Sequence, residues 1–137
     1  MAKSSNNNDI DFEISFYENV LKGSPDFIEA MMALADLYTK KGLYGEGLVL
    51  DERLSRLRPE NAVIFYNLAC SYSLLNNSYA ALNAIKKAIE LGYDDFDHLY
   101  EDKDLANLLA DAQFQKYLKD VQKKRRPSKA APQKKEE

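Results

Sequence analysis

A single cysteine, Cys70, excludes an internal disulfide, and 45% hydrophobic against 30% charged residues over 137 positions is the balance of an ordinary water-soluble domain. No apolar run approaches the ~20 residues of a membrane span. The polar start Met-Ala-Lys-Ser-Ser-Asn-Asn-Asn lacks the apolar segment of a secretory signal, so the chain reads as cytoplasmic. The net charge of −3 is unevenly spread: from Lys123 onward seven basic residues face Glu136 and Glu137, a net of +5, which leaves −8 on the rest. An acidic body argues against a folded part that grips phosphates.

Residues 1–10, rich in Ser and Asn, read as disordered, and Asp11 is placed to cap a helix from Phe12 to Lys22 that Gly23 and Pro25 stop. Phe12, Phe16 and Val20, with Tyr17 and Leu21, recur at helical spacing along it. Asp26 is the next expected cap, for a helix to Lys41 that Gly42 ends; a second helix runs from Tyr44 to Leu57 before Pro59. The same plan follows from Glu60 or Asn61 to Leu75 and from Ser78 to Leu91, with Asn76-Asn77 as the turn and Gly92 as the stop. Beyond Gly92 the pattern loosens into a short helix around Tyr93, Phe96, Leu99 and Tyr100. Another follows from Leu105 to Leu109 and a third from Phe114 to Lys123, with Asp104 and Asp111 as caps for these two. Pro, Ala, Lys and Gln over residues 124–137 read as a flexible basic tail.

The middle of the chain repeats itself every 34 residues. Ile28–Asn61 lies over Ala62–Asp95 without a gap, setting Met31 on Phe65, Leu34 on Leu68, Ala35 on Ala69, Tyr38 on Tyr72, Gly47 on Ala81 and Leu54 on Ala88. Units of this length cannot bury their apolar face alone and stack on neighbours, which points to a binding scaffold rather than an enzyme. Ala35 and Ala69 fall where paired helices approach.

These residues, with Gly42, Tyr44, Pro59 and Ile85, resemble the tetratricopeptide repeat (TPR) family. The resemblance covers Phe12 to Leu118: Phe12–Pro25 is similar to the second helix of an incomplete repeat, and Glu90-Leu-Gly-Tyr-Asp-Asp-Phe, Asp104-Leu and Asp111-Ala-Gln-Phe are similar to a closing segment of small bacterial TPR proteins. It implies an all-α, right-handed helical-hairpin solenoid of about three stacked helix pairs with a C-terminal capping helix. The domain would span residues 11–123, with a boundary at 27, repeats 28–61 and 62–95, and closing segment 96–123. Asp51 departs from the family pattern, taking an apolar core position; a slight rotation would bring its carboxylate to water or Arg53, and the alternative is a buried polar contact with a functional purpose. Gly45 and Gly47 depart from good helix-forming chemistry.

Candidate chemistry is thin. His98, the only histidine, has no Cys or second His at ligand spacing and reads as a surface residue beside Asp95 and Asp97. Cys70 has no local base, and the acidic run Asp94 to Asp104 lacks the glycine-centred loop and closing Glu of a calcium site. No catalytic, cofactor or metal residue is assigned. The resemblance instead implies a concave groove lined by the first helix of each pair: Glu29, Met32, Asp36, Thr39 and Lys40, then Tyr66, Asn67, Cys70, Ser73 and Leu74. Tyr66, off the packing pattern, is expected to stand exposed there as an aromatic anchor, whereas Tyr38 and Tyr72 belong to the core. Asp36 would repel a carboxylate, so a basic or apolar segment of a peptide or protein is the expected guest. The rival readings are nucleic-acid or anionic-surface binding through the basic tail, and self-association through the ends of the stack as a homo-oligomer.

Overall fold

A computed structural model describes residues 2–136, with side chains described for residues 9–125. The helices are α1 (Ala2–Gly23), α2 (Ile28–Lys41), α3 (Tyr44–Leu57), α4 (Ala62–Leu74), α5 (Ser78–Glu90), α6 (Phe96–Glu101), α7 (Ala106–Leu109) and α8 (Ala112–Glu136), with a 3-10 turn at Lys103–Leu105. Helices adjacent in sequence pack on each other from α1 to α5, giving the stacked hairpins that the repeat implies. Among the described residues no strand occurs and no helix is long and apolar enough to cross a membrane.

The breaks fall where the sequence puts them. Gly42 (φ 86°) and Gly92 (φ 114°) adopt the left-handed backbone that a residue without Cβ reaches most cheaply, and Asn76 (φ 62°) does so by its turn chemistry. At all three the chain closes the same way. Leu43 N–H donates to the Tyr38 carbonyl at 2.8 Å, Asn77 N–H to Tyr72 at 2.9 Å and Tyr93 N–H to Ala88 at 2.9 Å, satisfying carbonyls the helix end would orphan. Asn61 and Asn77 cap α4 and α5 by accepting from Ile64 N–H (3.1 Å) and Ala80 N–H (3.2 Å), and Asp111 accepts from Phe114 N–H (3.1 Å) at the start of α8.

Three expected caps move. Asp11 lies inside α1 and pairs with Lys41; Asp26 pairs with Arg53, leaving Phe27 at the start of α2 without a side-chain cap. Asp102, not Asp104, opens the turn before α7, accepting from Asp104 N–H at 3.0 Å. Asp11 has no helix start to cap because α1 begins at Ala2, whereas Asp26 is held by Arg53 and Asp102 takes the N–H of Asp104.

The apolar stripe of α1 is also rotated from expectation. Ile10, Ile14, Tyr17 and Leu21 pack toward α2, whereas Phe12 and Phe16 are 73% and 52% exposed. The expected disorder at 1–10 and 124–137 falls mostly on residues whose side chains lie outside the description. Within it, Asp9 and Ile10 are helical, and Arg125 belongs to the body, donating to the carbonyls of Ile89 (2.8 Å) and Tyr93 (3.4 Å).

Ala35 and Ala69 are buried between paired helices, as their register requires. The largest core runs through α4, α5 and the closing segment, where Leu99, Leu105, Leu108, Phe114 and Leu118 are sealed from solvent. Ser73 on α4 ties that segment down, its hydroxyl accepting from Leu108 N–H at 3.1 Å, while Asn107 donates to the Ser73 carbonyl at 2.9 Å.

Candidate functional site: an acidic concave pocket

A pocket of about 190 Å³ opens between α2, α3, α4, α6 and the 3-10 turn. Helix α2 contributes Met32, Ala35, Asp36 and Thr39; α4 contributes Tyr66, Asn67, Cys70 and Ser71. Asp51 comes from α3, and His98, Asp102 and Asp104 come from the closing segment. Of the residues expected to line a groove, Met32, Asp36, Thr39, Tyr66, Asn67 and Cys70 do meet here. Glu29 and Lys40 are exposed outside the pocket, Lys40 pairing with Asp36 at 3.1 Å. Leu74 is half-buried away from it, and Ser73 is fully buried in the contacts to α7.

Tyr66 is the principal correction. It is 5% exposed rather than open to solvent, because the closing segment folds over it. Tyr93 stacks on its ring at 4.5 Å and 23°, and its hydroxyl donates to Asp102 at 2.7 Å. Burial and that acceptor both push the phenol well above its ordinary pKa. Tyr66 is a wall of the pocket, not a free anchor. Tyr38 and Tyr72 are half-buried rather than core: each sends its hydroxyl to a carboxylate 20 residues earlier, Glu18 at 2.6 Å and Glu52 at 2.7 Å. Burial first and those carboxylates second push both phenols up to about 12.

Asp102 organises the rear of the pocket. Besides Tyr66 it meets His98 Nε2 at 3.4 Å and Cys70 Sγ at 3.8 Å, so the His98 ring turns to Asp102 while its backbone N–H donates to Asp95 at 3.1 Å. The Tyr66 and His98 rings lie 5.7 Å apart. Burial, with Asp102 beside it, raises the Cys70 thiol far from the thiolate form a nucleophile needs.

Asp51 does not rotate to water or to Arg53. It is 4% exposed and accepts from the Ser71 hydroxyl at 2.5 Å. Burial pushes its carboxyl up to about 6; the Ser71 hydrogen bond opposes that rise and Asp36 adds to it. Asp104 is raised as well, by burial and then by Asp102 and Asp36. Four aspartates thus share one concavity with His98, and among the described residues no Lys or Arg lines it, although Lys40 reaches Asp36 from outside. Asp51 was legible as a polar residue in an apolar register. Asp102, His98 and Asp104 were not, because the closing segment has no internal period to place it.

No protein-family model matches the chain. A curated relative, a chloroplastic protein of Arabidopsis thaliana, is 40% identical over 85 residues, 60% of this chain and 25% of that protein. Two solved structures of MamA superpose with TM-scores of 0.59 and 0.60 at 26% and 27% identity, over 66% of this chain and 50% or 53% of theirs. MamA of Desulfovibrio magneticus RS-1, residues 41 to the end, superposes over 88% of this chain and 70% of its own with a TM-score of 0.62. At 18% identity that likeness is one of fold. The chain spans a quarter of the curated relative and about half of the first MamA structures. With its paired helices and 34-residue register, the chain has the TPR type of helical-hairpin fold.

Proposed function

We propose that the chain is a non-catalytic protein–protein interaction scaffold that seats a peptide or protein segment bearing a Lys or Arg side chain in the acidic concave pocket. The observation that supports this reading is the convergence of Asp36, Asp51, Asp102 and Asp104 on one cavity. Carboxylates gathered in one partly buried concavity gain most from a cation placed among them, which offsets their desolvation and repulsion while forming charge-assisted hydrogen bonds. Met32 and the Tyr66 edge supply apolar contact for the stem of such a side chain. A cytoplasmic setting goes with this proposal. The chloroplastic relative makes an organellar aqueous compartment the alternative.

The test is calorimetric titration with short peptides that differ only in carrying Lys, Arg, Gln or Glu at one position. The basic peptides should bind and the acidic one should not. Asp36→Asn and Asp104→Asn should each weaken binding by about 1 kcal/mol or more, and affinity should fall between pH 7 and pH 5 as Asp51 takes up a proton. Equal binding of Gln and Lys peptides, or no effect of either substitution, would overturn the reading. The basic-tail alternative keeps its own signature, a steep loss of nucleic-acid binding with salt; Arg125 of that run is already engaged with the body.

A further inference from the structure

The apolar stripe of α8 ends in a charge. Phe114, Leu118 and Val121 recur at helical spacing and pack on the main core, and the next position of the same stripe is Arg125. Its guanidinium reaches the turn that follows α5. Nη2 donates to the Ile89 carbonyl at 2.8 Å and Nη1 to the Tyr93 carbonyl at 3.4 Å, while Cζ stands 6.0 Å over the Phe96 ring. The last carbonyls of a helix carry partial negative charge, so a cation is favoured at the end of α5. The planar fork of arginine holds two carbonyls at once, which the single ammonium of lysine does with far less directional control.

The turn held in this way supplies the back of the concave pocket. Tyr93 lays its ring on Tyr66 at 4.5 Å, and Tyr66 in turn donates its hydroxyl to Asp102. Phe96 begins α6, the six-residue helix that carries His98 to the pocket and is followed directly by Asp102. Gly92, with its left-handed backbone, lets the chain leave α5 in a direction that helix propensity does not fix. The path from Gly92 to Phe96 is therefore set by what grips it, and Arg125 grips it at Tyr93 and Phe96 while anchored on Ile89.

We infer that Arg125 is a positioning residue for the concave pocket: it clamps the turn between Tyr93 and Phe96 onto the end of α5 and so sets the Tyr66 ring, His98 and Asp102, without lining the pocket itself. Its effect on affinity rests on the peptide-binding reading; its effect on the geometry of the pocket wall does not. The basic run that starts at Lys123 is accordingly divided. Lys123 and Lys124 are exposed, whereas Arg125 faces the body and serves the site at a distance through Tyr93.

Two variants of the full-length chain test it. Arg125→Met keeps the stem and removes both hydrogen bonds; Arg125→Lys keeps the charge and loses the fork. His98 is the only histidine and its ring lies 5.7 Å from that of Tyr66, so its Hε1 proton resonance reads the pocket wall directly. The chain has no tryptophan, so its near-ultraviolet circular dichroism reads the tyrosines, the Tyr66–Tyr93 stack among them. In Arg125→Met the His98 resonance should shift, the dichroism should lose amplitude, and affinity for the Lys-bearing peptide should fall at least about threefold. Arg125→Lys should fall between that variant and the parent on all three. Lys86→Met is the control, because Lys86 lies 5.1 Å over the Tyr117 ring and ties α8 to α5 away from the turn. It should leave the His98 resonance and the affinity at parent values. Unmoved spectra in Arg125→Met overturn the inference, as does an equal movement in Lys86→Met, the behaviour of a general tie between helices. An unchanged affinity beside a moved spectrum overturns it too. If the spectra move as expected and no basic peptide binds even the parent, the peptide reading falls while Arg125 keeps its role in shaping the wall.

Discussion

The two full repeats share a register but not a core. Around α4 and α5 one continuous apolar cluster runs from Tyr66 to Leu118, because the closing segment lays Leu99, Leu105, Leu108 and Phe114 across it. Around α2 and α3 the apolar contacts divide into two small groups, Ile14 with Leu34 and Leu37, and Met31 with Leu54 and Ile64. Two aligned positions mark the difference: the second repeat has Ala81 and Ile85 where the first has Gly47 and Asp51. Apolar burial scales with area, so the C-terminal half holds the greater share of the stabilisation and the N-terminal hairpin is the part that opens first. What the first repeat forgoes in packing it supplies to the pocket, since Asp51 is both the break in its core and the deepest carboxylate of the site.

The largest effect that tests this contrast is Phe114→Ala, which should cost about 3–5 kcal/mol in denaturant titration by emptying a fully buried site. Hydrogen exchange should then show α4 and α5 amides losing protection to the level of α2 and α3. If they keep their lead, the two halves do not differ for the reason given.

Asp51→Asn comes next. Its carboxyl is harder to ionise folded than unfolded, so the native state holds that proton more tightly and the group contributes most stability at low pH. That contribution is lost as pH rises from about 4 through about 6. Keeping the carboxylate ionised in the fold therefore costs about 3 kcal/mol at neutral pH. The substitution should stabilise the protein by up to that amount at pH 7 and have no effect below pH 4. A pH-independent difference would place the change in packing rather than ionisation.

The smallest effect separates the two glycines of α3. A Cβ at Gly45 meets nothing, so Gly45→Ala should stabilise by about 0.5–1 kcal/mol through helix propensity. At Gly47 a Cβ would come to 3.3 Å from Thr39 Oγ1 and 3.4 Å from the Ala35 carbonyl, and Gly47→Ala should gain little or nothing. Equal gains in thermal melts would mean that α2 and α3 are not held at the close approach described.

Local chemistry was legible wherever it repeats. The glycine and asparagine stops, the buried alanines and the helix pairing were all readable because each is set by neighbours within one 34-residue unit or by a copy of it. Six of the expected groove residues also reach one pocket, since they lie on the inner helices of successive hairpins. Tyr66 failed as an exposed anchor because its cover comes from Tyr93 and Asp102, in a segment whose path no period dictates. Of the two apolar stripes on α1, Tyr17 and Leu21 pack and Phe12 and Phe16 do not, because helical spacing defines a stripe without saying which of two faces the neighbour.

The sequence by itself determined the fold type, the hairpin boundaries and an acidic body, all properties of backbone propensity, apolar spacing and summed charge. Only the tertiary structure decided that Asp36, Asp51, Asp102 and Asp104 share a cavity, since they come from α2, α3 and the closing segment. It alone decided, too, which aromatic side chains are sealed and which stand in water, since burial is a property of what packs on top and the covering segment lies far away in the chain.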